Sequence, residues 1–216
     1  MGFLDSLLGR TRLPPSNEDR LFAMSTAAIT LETAGDLHWF GRAAIVFKQL
    51  PPGRFRQVRD DAVAMVRQEA RSEDDLLGPG ALPAVASGPG APLPSAPGPA
   101  AGLSVDEHTD ELGFDWLVVG GEDLQAVLAA LHGIAQSLLE EGLGDALLAA
   151  VFRFQQSSQP VYWVYGYKQA TFYPFIPSGP HQRDNAAELR LSALAKGELP
   201  VEPQVERWFA LWGAPI

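Results

Sequence analysis

Residues 114–155 read FDWLVVGGEDLQAVLAALHGIAQSLLEEGLGDALLAAVFRFQ, and this stretch decides the fold class. Its first six residues form an apolar run that ends in two valines, which is typical of a strand. After Gly120 and Gly121, apolar residues recur at spacings of three and four, which predicts an amphipathic helix that ends near Gly142. Residues 147–155 are mostly apolar again and predict a second strand. The stretch therefore mixes helical and strand patterns, as α+β domains do.

The residues that follow extend the same sheet. Residues 161–168 (VYWVYGYK) predict a strand that forms an antiparallel hairpin with residues 147–155, and residues 156–160 serve as its turn. Residues 171–177 (TFYPFIP) predict an edge strand or an extended segment, because proline cannot donate a hydrogen bond to a central ladder.

The remaining patterned segments complete a single α+β domain over residues 17–216. In chain order they predict a short helix capped at Ser16 or Asn17 and running to Met24, strands at 28–33 and 42–48, a helix at 55–70, and a last helix from a cap at Asp184 or Asn185 to Ala195. The two upstream strands are predicted from their β-branched residues. We expect the helices to pack on one face of an antiparallel sheet.

One segment, residues 78–102, interrupts this domain. Of its 25 residues, 13 are glycine or proline and none is charged. Proline removes backbone donors and glycine raises the entropy cost of ordering, so the sequence predicts a disordered tether on the surface. It is either a docking segment for a proline-binding partner or a tolerated loop insertion.

Composition excludes several classes of protein. The absence of cysteine rules out disulfides, cysteine-ligated zinc, iron–sulfur clusters and cysteine nucleophiles. The 16 basic and 26 acidic residues give a net charge of −10, so nucleic acid is not an expected partner. No stretch approaches the roughly 20 apolar residues that span a bilayer, and the first residues lack the basic start of a signal peptide. We therefore expect a soluble cytoplasmic protein.

The sequence carries no strong catalytic motif. The usual phosphate-binding glycine loops and the G-x-S-x-G elbow are missing, and no two histidines have the i, i+4 spacing of a helical zinc site. His108 stands among Asp106, Glu107 and Asp110, which is either a weak metal site or a solvated acidic stretch. We therefore predict that the protein is not an enzyme and has no catalytic residue, cofactor or metal.

Two further places each allow two interpretations. Lys168 and Tyr173 form either a catalytic or anion-binding pair, or an aromatic ladder covered by a lysine stem. Arg183 recognises a carboxylate or phosphate, or it makes an ion pair beside the helix cap. A cleft near these three residues would indicate an enzyme or a sensor of a small ligand.

Two features favour binding of another macromolecule. The first is the apolar segment 1–12, in which Phe3, Leu4, Leu7 and Leu8 share one helical face. Such a face lies on a membrane surface or in a partner's groove, or it packs back on its own domain.

The second feature is aromatic density, since all four tyrosines and three of the five tryptophans lie within residues 161–212. This density fits either a partner groove or a plain core. The candidate partner-binding residues here are Lys168, Phe172, Tyr173, Phe175, Arg183, Trp208 and Trp212.

Several stretches together resemble one known family. They are MGFLDSLLGR at the start, FDWLVV, YKQATFYPFIP, RDNAAELRL, and RWFALWGAP near the end. This set is similar to the PspA-associated protein PspAB family of actinobacteria and related prokaryotes. Gln169 and Ala170 depart from the Arg-Gly pair of the family pattern, which weakens any anion-binding role there.

The resemblance implies a bacterial, phage-shock-type envelope stress role linked to PspA, a membrane-remodelling coiled-coil protein. It also implies genomic proximity to an HtpX-like membrane metalloprotease, a fold similar to YbjN and type III secretion chaperones, and no known enzymatic activity. We expect a non-enzymatic adaptor or chaperone-like protein that binds a PspA-like partner. Residues 1–10 would add a peripheral membrane contact, and a homodimer is compatible with the sequence.

Overall fold

The computed structural model describes residues 20–76 and 102–216. The apolar segment 1–12, the helix cap predicted at Ser16 or Asn17, and nearly all of the 78–102 segment lie outside the described residues.

The described chain forms four helices and a sheet of six strands, with a further pair of very short strands. The elements are α1 (Ala23–Gly35, after a 3-10 turn at Arg20–Phe22), β1 (His38–Lys48), α2 (Pro52–Leu76), β2 (Ser104–Thr109), β3 (Phe114–Gly120), α3 (Leu124–Glu140), β4 (Leu147–Gln156), β5 (Gln159–Gly166), β6 (Thr171–Phe175), β7 (Pro177–Gly179), β8 (Gln182–Arg183), α4 (Asn185–Ala195) and a 3-10 turn at Val205–Arg207.

The six strands form one antiparallel sheet in the order β2-β3-β1-β4-β5-β6. β1 lies between β3 and β4, and its Ile45 is the register partner of Leu117 on one side and Ala150 on the other. α3 carries the chain from β3 past β1 to β4. The predicted α+β class with an antiparallel sheet is confirmed.

Local sequence explains the best-predicted elements. The Asp123 side chain accepts a hydrogen bond from the Gln125 backbone N–H at 2.8 Å, which caps α3. The β4–β5 hairpin is present, but its strands extend to the Gln156–Gln159 pair, so its turn is shorter than the predicted residues 156–160. Asp184 caps α4 by accepting from the Ala187 N–H at 2.9 Å.

The strand predicted at residues 28–33 is wrong. These residues lie in α1, which also continues past Met24, where the predicted short helix ended. Met24, Ala27 and Leu31 are fully buried at spacings of three and four, whereas Ile29 is 64% exposed. Burial of one helical face therefore outweighs the β preference of the branched residues.

β2 was not predicted, because the sequence around His108 indicated a weak metal site or a solvated acidic stretch. It pairs with β3 from Ser104↔Gly120 to Thr109↔Asp115, and the Thr109 hydroxyl donates to Asp115 Oδ1 at 2.8 Å. Most of its side chains are exposed at the edge of the sheet, so the alternation that marks a half-buried strand is missing. Among the described residues, no group of three or more potential metal ligands is found, at His108 or elsewhere.

The two faces of the sheet have different covers. Ala43, Ile45 and Phe47 pack with all four helices in one core, which we call the helix face. The alternate residues Ala44 and Val46 belong to a second cluster, on what we call the open face, and none of its described members comes from a helix. The helices thus pack on one face, as predicted, and the open face is covered by the C-terminal segment 201–216.

Candidate partner-binding cleft

A cleft of about 460 Å³ lies on the open face of the sheet. Its floor is made by apolar side chains of four adjacent strands, namely Val46, Trp116, Ala149 and Val164. The chain after Glu202 supplies a wall through Phe209, Ala210 and Leu211. Within residues 20–76 and 102–216, the C-terminal segment is the one cover of the open face, and the cleft lies beside it.

Three large apolar side chains line this cleft and are nevertheless open to solvent. Leu112 is 81% exposed, Phe209 is 66% exposed and Trp212 is 38% exposed. Leu112 belongs to the β2–β3 turn, and the other two belong to the C-terminal segment. We call these three residues the apolar rim. Exposed apolar groups gathered at one place mark interaction sites.

The turn that carries Leu112 is fixed by one carboxylate. Asp110 Oδ1 accepts from the backbone N–H groups of Leu112 and Phe114, both at 2.9 Å. Asp110 Oδ2 accepts from Trp116 Nε1, also at 2.9 Å. Gly113 completes the turn with φ of +80°, a conformation that favours glycine. Leu112 is therefore held at the cleft by the turn geometry.

The C-terminal wall is anchored by Trp208. Its buried ring stacks on Tyr173 with ring centroids 6.4 Å apart, and its Nε1 donates to the Glu202 carbonyl at 3.0 Å. The Trp212 ring lies edge-on to Phe175 at 5.0 Å between centroids. These contacts position Phe209 and Trp212 beside the cleft.

Glu202 is a buried carboxylate whose two oxygens both have partners. Oε1 accepts from the Gln204 N–H at 3.0 Å, and Oε2 accepts from the Thr171 hydroxyl at 3.1 Å. Arg207 Nη1 lies 4.0 Å from Oε2. The Glu202 N–H also donates to the Phe172 carbonyl, so the segment partly closes the β6 edge of the sheet. This carboxylate is structural.

Arg183 has a structural role as well. Its Nε lies 3.0 and 2.9 Å from the two oxygens of Glu188, which is almost completely buried, and its Nη1 donates to the Trp208 carbonyl at 2.7 Å. Glu188 also accepts from the Ile176 N–H at 2.8 Å. The guanidinium therefore ties α4 to the C-terminal wall and does not line the cleft. This is the ion-pair alternative that the sequence left open.

Lys168 and Tyr173, by contrast, both line the cleft. Burial raises the pKa of the Tyr173 hydroxyl above its ordinary value, and the Arg183 charge and a backbone hydrogen bond with Phe209 oppose that shift only in part. The phenol therefore stays protonated near neutral pH and is not an activated base. Lys168 follows β5 and is exposed at the cleft.

Comparison with known protein families identifies the family to which this chain belongs. The model described as PspA associated protein B matches residues 1–77 and 95–216. The chain belongs to this family. The unmatched residues 78–94 fall inside the Pro/Gly-rich segment. No curated protein and no solved structure matches the chain, so the likeness to YbjN and type III secretion chaperones stays a prediction.

In this family member, the aromatic candidates of the sequence separate into core and surface residues. Phe172 and Phe175 are fully buried, the first on the helix face and the second on the open face. Tyr173 and Trp208 are also buried, and Trp212 is exposed. The core alternative thus accounts for most of the aromatic density. Phe3, Leu4, Leu7 and Leu8 lie outside the described residues.

The sequence reasoning missed two rim residues. Leu112 was overlooked because it stands alone in a polar turn, where a single exposed apolar residue is ordinary. Phe209 lies inside RWFALWGAP, and only its tryptophans were singled out. A large apolar residue inside the Asp110–Gly113 turn was the one available signal.

No helix in the described ranges 20–76 and 102–216 is long and apolar enough to cross a membrane.

Proposed function

We propose that this family member is a non-enzymatic adaptor or chaperone-like protein that binds a PspA-like partner in an envelope stress response. The observation that carries the proposal is the apolar rim of Leu112, Phe209 and Trp212 at the mouth of the open-face cleft. The family description supports PspA as the partner.

Burial of the rim would give a partner useful binding energy. Full burial of a large apolar side chain contributes about 1.5–3 kcal/mol. Scaled by the exposed fractions of the three side chains, the rim offers about 4 kcal/mol before the costs of association. Because Asp110 and Trp208 already fix the backbone that carries the rim, little backbone ordering remains to oppose binding.

The polar groups around the cleft support binding over catalysis. The Asp110 and Glu202 carboxylates are engaged in structural hydrogen bonds, and Arg183 is committed to Glu188. Tyr173 is held protonated by burial. A general base needs a group free to accept a proton from substrate, and these residues do not supply one.

A sensor of a small ligand is the second candidate function. The cleft volume of about 460 Å³ lies in the range of small-molecule sites, and Lys168 and Tyr173 both line it. Native mass spectrometry of the protein purified from its own cells tests this alternative. A retained small molecule that is lost in Val164→Trp, which fills the cleft floor, would favour the sensor.

Capture of the PspA-like protein of the same organism tests the leading proposal. The double variant Leu112→Ala with Phe209→Ala should lower the affinity at least tenfold, because it removes most of the exposed rim. The matched control is Ile29→Ala with Leu189→Ala, which removes two exposed apolar residues of α1 and α4 that are not part of the cleft. Equal capture by both double variants would overturn the proposal.

We also propose a cytoplasmic location with a second, peripheral contact through residues 1–10. The apolar face of Phe3, Leu4, Leu7 and Leu8 supports it. Phe3→Asp with Leu7→Asp should abolish flotation with liposomes, and unchanged flotation would remove this part of the proposal.

An HtpX-like protease as a further partner is tested by the same capture experiment, and a homodimer is tested by sedimentation equilibrium.

A further inference from the structure

We infer that the partner segment taken by the open-face cleft carries an acidic residue beside its apolar anchors, and that Lys168 receives this carboxylate. The inference rests on the proposed function, since it requires the cleft to be a protein-binding site. It adds a charge preference, by which the cleft would distinguish an apolar segment with an acidic residue from one without.

The carboxylates that line the cleft are not available to a partner. Asp110 accepts three hydrogen bonds, from Leu112 N–H, Phe114 N–H and Trp116 Nε1. Glu202 is buried and accepts from Gln204 and Thr171. Because both groups are satisfied within the fold, a basic residue on the partner would gain little by approaching them.

Lys168 is in the opposite situation. It lines the cleft, and its ammonium makes no hydrogen bond or ion pair with any residue of the described ranges. Its backbone is fixed by the tight turn after β5, in which the Ala170 N–H donates to the Gly166 carbonyl at 2.8 Å. Among the charged side chains of the described residues that line the cleft, the unpaired one is therefore positive, although the whole chain carries −10.

These charges favour a protein segment over a lipid surface. An anionic membrane presents many charges over a wide area and meets the net negative charge of the whole chain. A single carboxylate close to Lys168 experiences mainly the nearby ammonium, since more distant charges are screened beyond about 8–10 Å.

The exposed apolar rim favours a protein segment as well. Leu112 is 81% exposed and Phe209 is 66% exposed, so both extend into solvent at the mouth of the cleft. A small ligand seated inside the cleft leaves much of these side chains in water, whereas a peptide helix lying across the mouth covers them. An amphipathic helix in an apolar groove, with one acidic flank residue, is the occupant that fits.

Fluorescence anisotropy with synthetic peptides tests the inference. The probes are labelled 18-residue amphipathic helices with an identical leucine and phenylalanine face. Glu, Gln or Lys is placed at each flank position in turn. At the best position, the Glu peptide should bind the full chain about two- to fivefold more tightly than the Gln peptide, as expected for a partly exposed ion pair.

Variants of Lys168 assign that preference to one residue. Lys168→Gln should remove the difference in affinity between the Glu and Gln peptides. Lys168→Glu should reverse the preference, so that the Lys peptide binds best. Lys196→Gln is the matched control, because Lys196 is an exposed lysine at the end of α4 that does not line the cleft.

Three outcomes would overturn the inference. One is equal affinity of Glu and Gln peptides at every position. Another is a Glu preference that persists in Lys168→Gln. A third is that no peptide binds, while vesicles of phosphatidylglycerol and phosphatidylethanolamine bind the wild type but not Lys168→Glu. That result would assign the cleft to a lipid. The capture experiment with Leu112→Ala and Phe209→Ala tests the cleft itself, so the proposed function can stand when this inference fails.

Discussion

Asp110 holds together the turn that presents Leu112, and its replacement by alanine should weaken both the fold and the cleft. The carboxylate accepts from two backbone N–H groups and from Trp116 Nε1, each at 2.9 Å. Alanine leaves all three donors without their acceptor. The Trp116 side chain is buried, so its indole N–H cannot readily find water instead.

The expected loss of stability follows from these three bonds. An unsatisfied buried donor costs about 1–3 kcal/mol, and loss of a side-chain acceptor for turn or cap N–H groups costs about 1 kcal/mol. Because the bonds share one acceptor and are not additive, we expect the free energy of unfolding to fall by about 3 kcal/mol. For a chain of this size that corresponds to a drop in Tm of about 6–12 °C.

Urea unfolding followed by tryptophan fluorescence, together with thermal unfolding, measures this loss. Asp110→Asn should fall between wild type and alanine, because an amide oxygen still accepts from Leu112 and Phe114 while the amide N–H₂ faces the Trp116 donor. Glu111→Ala is the matched control, since Glu111 is an exposed acidic residue of the same turn with no partner in the described ranges. Its stability should stay within about 0.5 kcal/mol of wild type.

Binding provides the second measurement on the same variants. Asp110→Ala should lower capture of the PspA-like partner, because Leu112 is no longer fixed at the rim, and Glu111→Ala should not. The reasoning is refuted when Asp110→Ala unfolds at the same urea concentration as Glu111→Ala.

Two further predictions concern the anchors of the C-terminal wall. Arg183→Leu should lower the free energy of unfolding in urea by about 3 kcal/mol, because it leaves the buried Glu188 carboxylate without its ion-pair partner. Arg190→Leu, on the exposed side of α4, should have little effect. Similar urea midpoints for the two variants would contradict the structural role of Arg183. Burial raises the pKa of Tyr173 in the folded state. The contribution of the buried, protonated phenol to the free energy of unfolding is therefore fully present below the unfolded-state pKa of about 10, and it is lost as pH rises from there through the folded-state pKa. Between pH 10 and pH 11 the wild type should lose about 1 kcal/mol more stability than Tyr173→Phe, and parallel curves would exclude the burial effect.

Much of the fold follows from patterns within single segments. Helix α3 was predicted from its apolar spacing, and the β4–β5 hairpin was predicted from two apolar runs around a short spacer. These elements have faces that are strongly apolar, so local pattern and tertiary burial favour the same structure. Leu124–Glu140 is accordingly helical from the predicted start almost to the predicted end.

Errors arose where local and tertiary preferences disagree. Ile29 and Thr30 favour a strand, but burial of Met24, Ala27 and Leu31 on one side makes α1 a helix. β2 has almost no apolar alternation and forms because the edge of β3 offers it hydrogen-bonding partners. No single-segment pattern contains that information.

The cleft shows the same difference between what local sequence patterns predict and what tertiary packing decides. The sequence identified Lys168, Tyr173 and Trp212 as candidates, but it could not separate them from buried Phe172 and Phe175 or from the structural Arg183. Exposure within an aromatic segment depends on what covers each face of the sheet, and that cover comes from residues 201–216.

The sequence by itself determined the α+β class, the acidic cysteine-free character of the chain and most helix and strand positions, because each depends on composition or on spacing within one segment. The family followed from the resemblance of several stretches along the chain to a known family. Only the tertiary structure decided that Leu112, Lys168 and Phe209 meet at one cleft. These residues lie on segments far apart in the chain, and their meeting depends on strand order, register and the path of the C-terminal segment. Those properties are set by packing between segments, which no local period encodes.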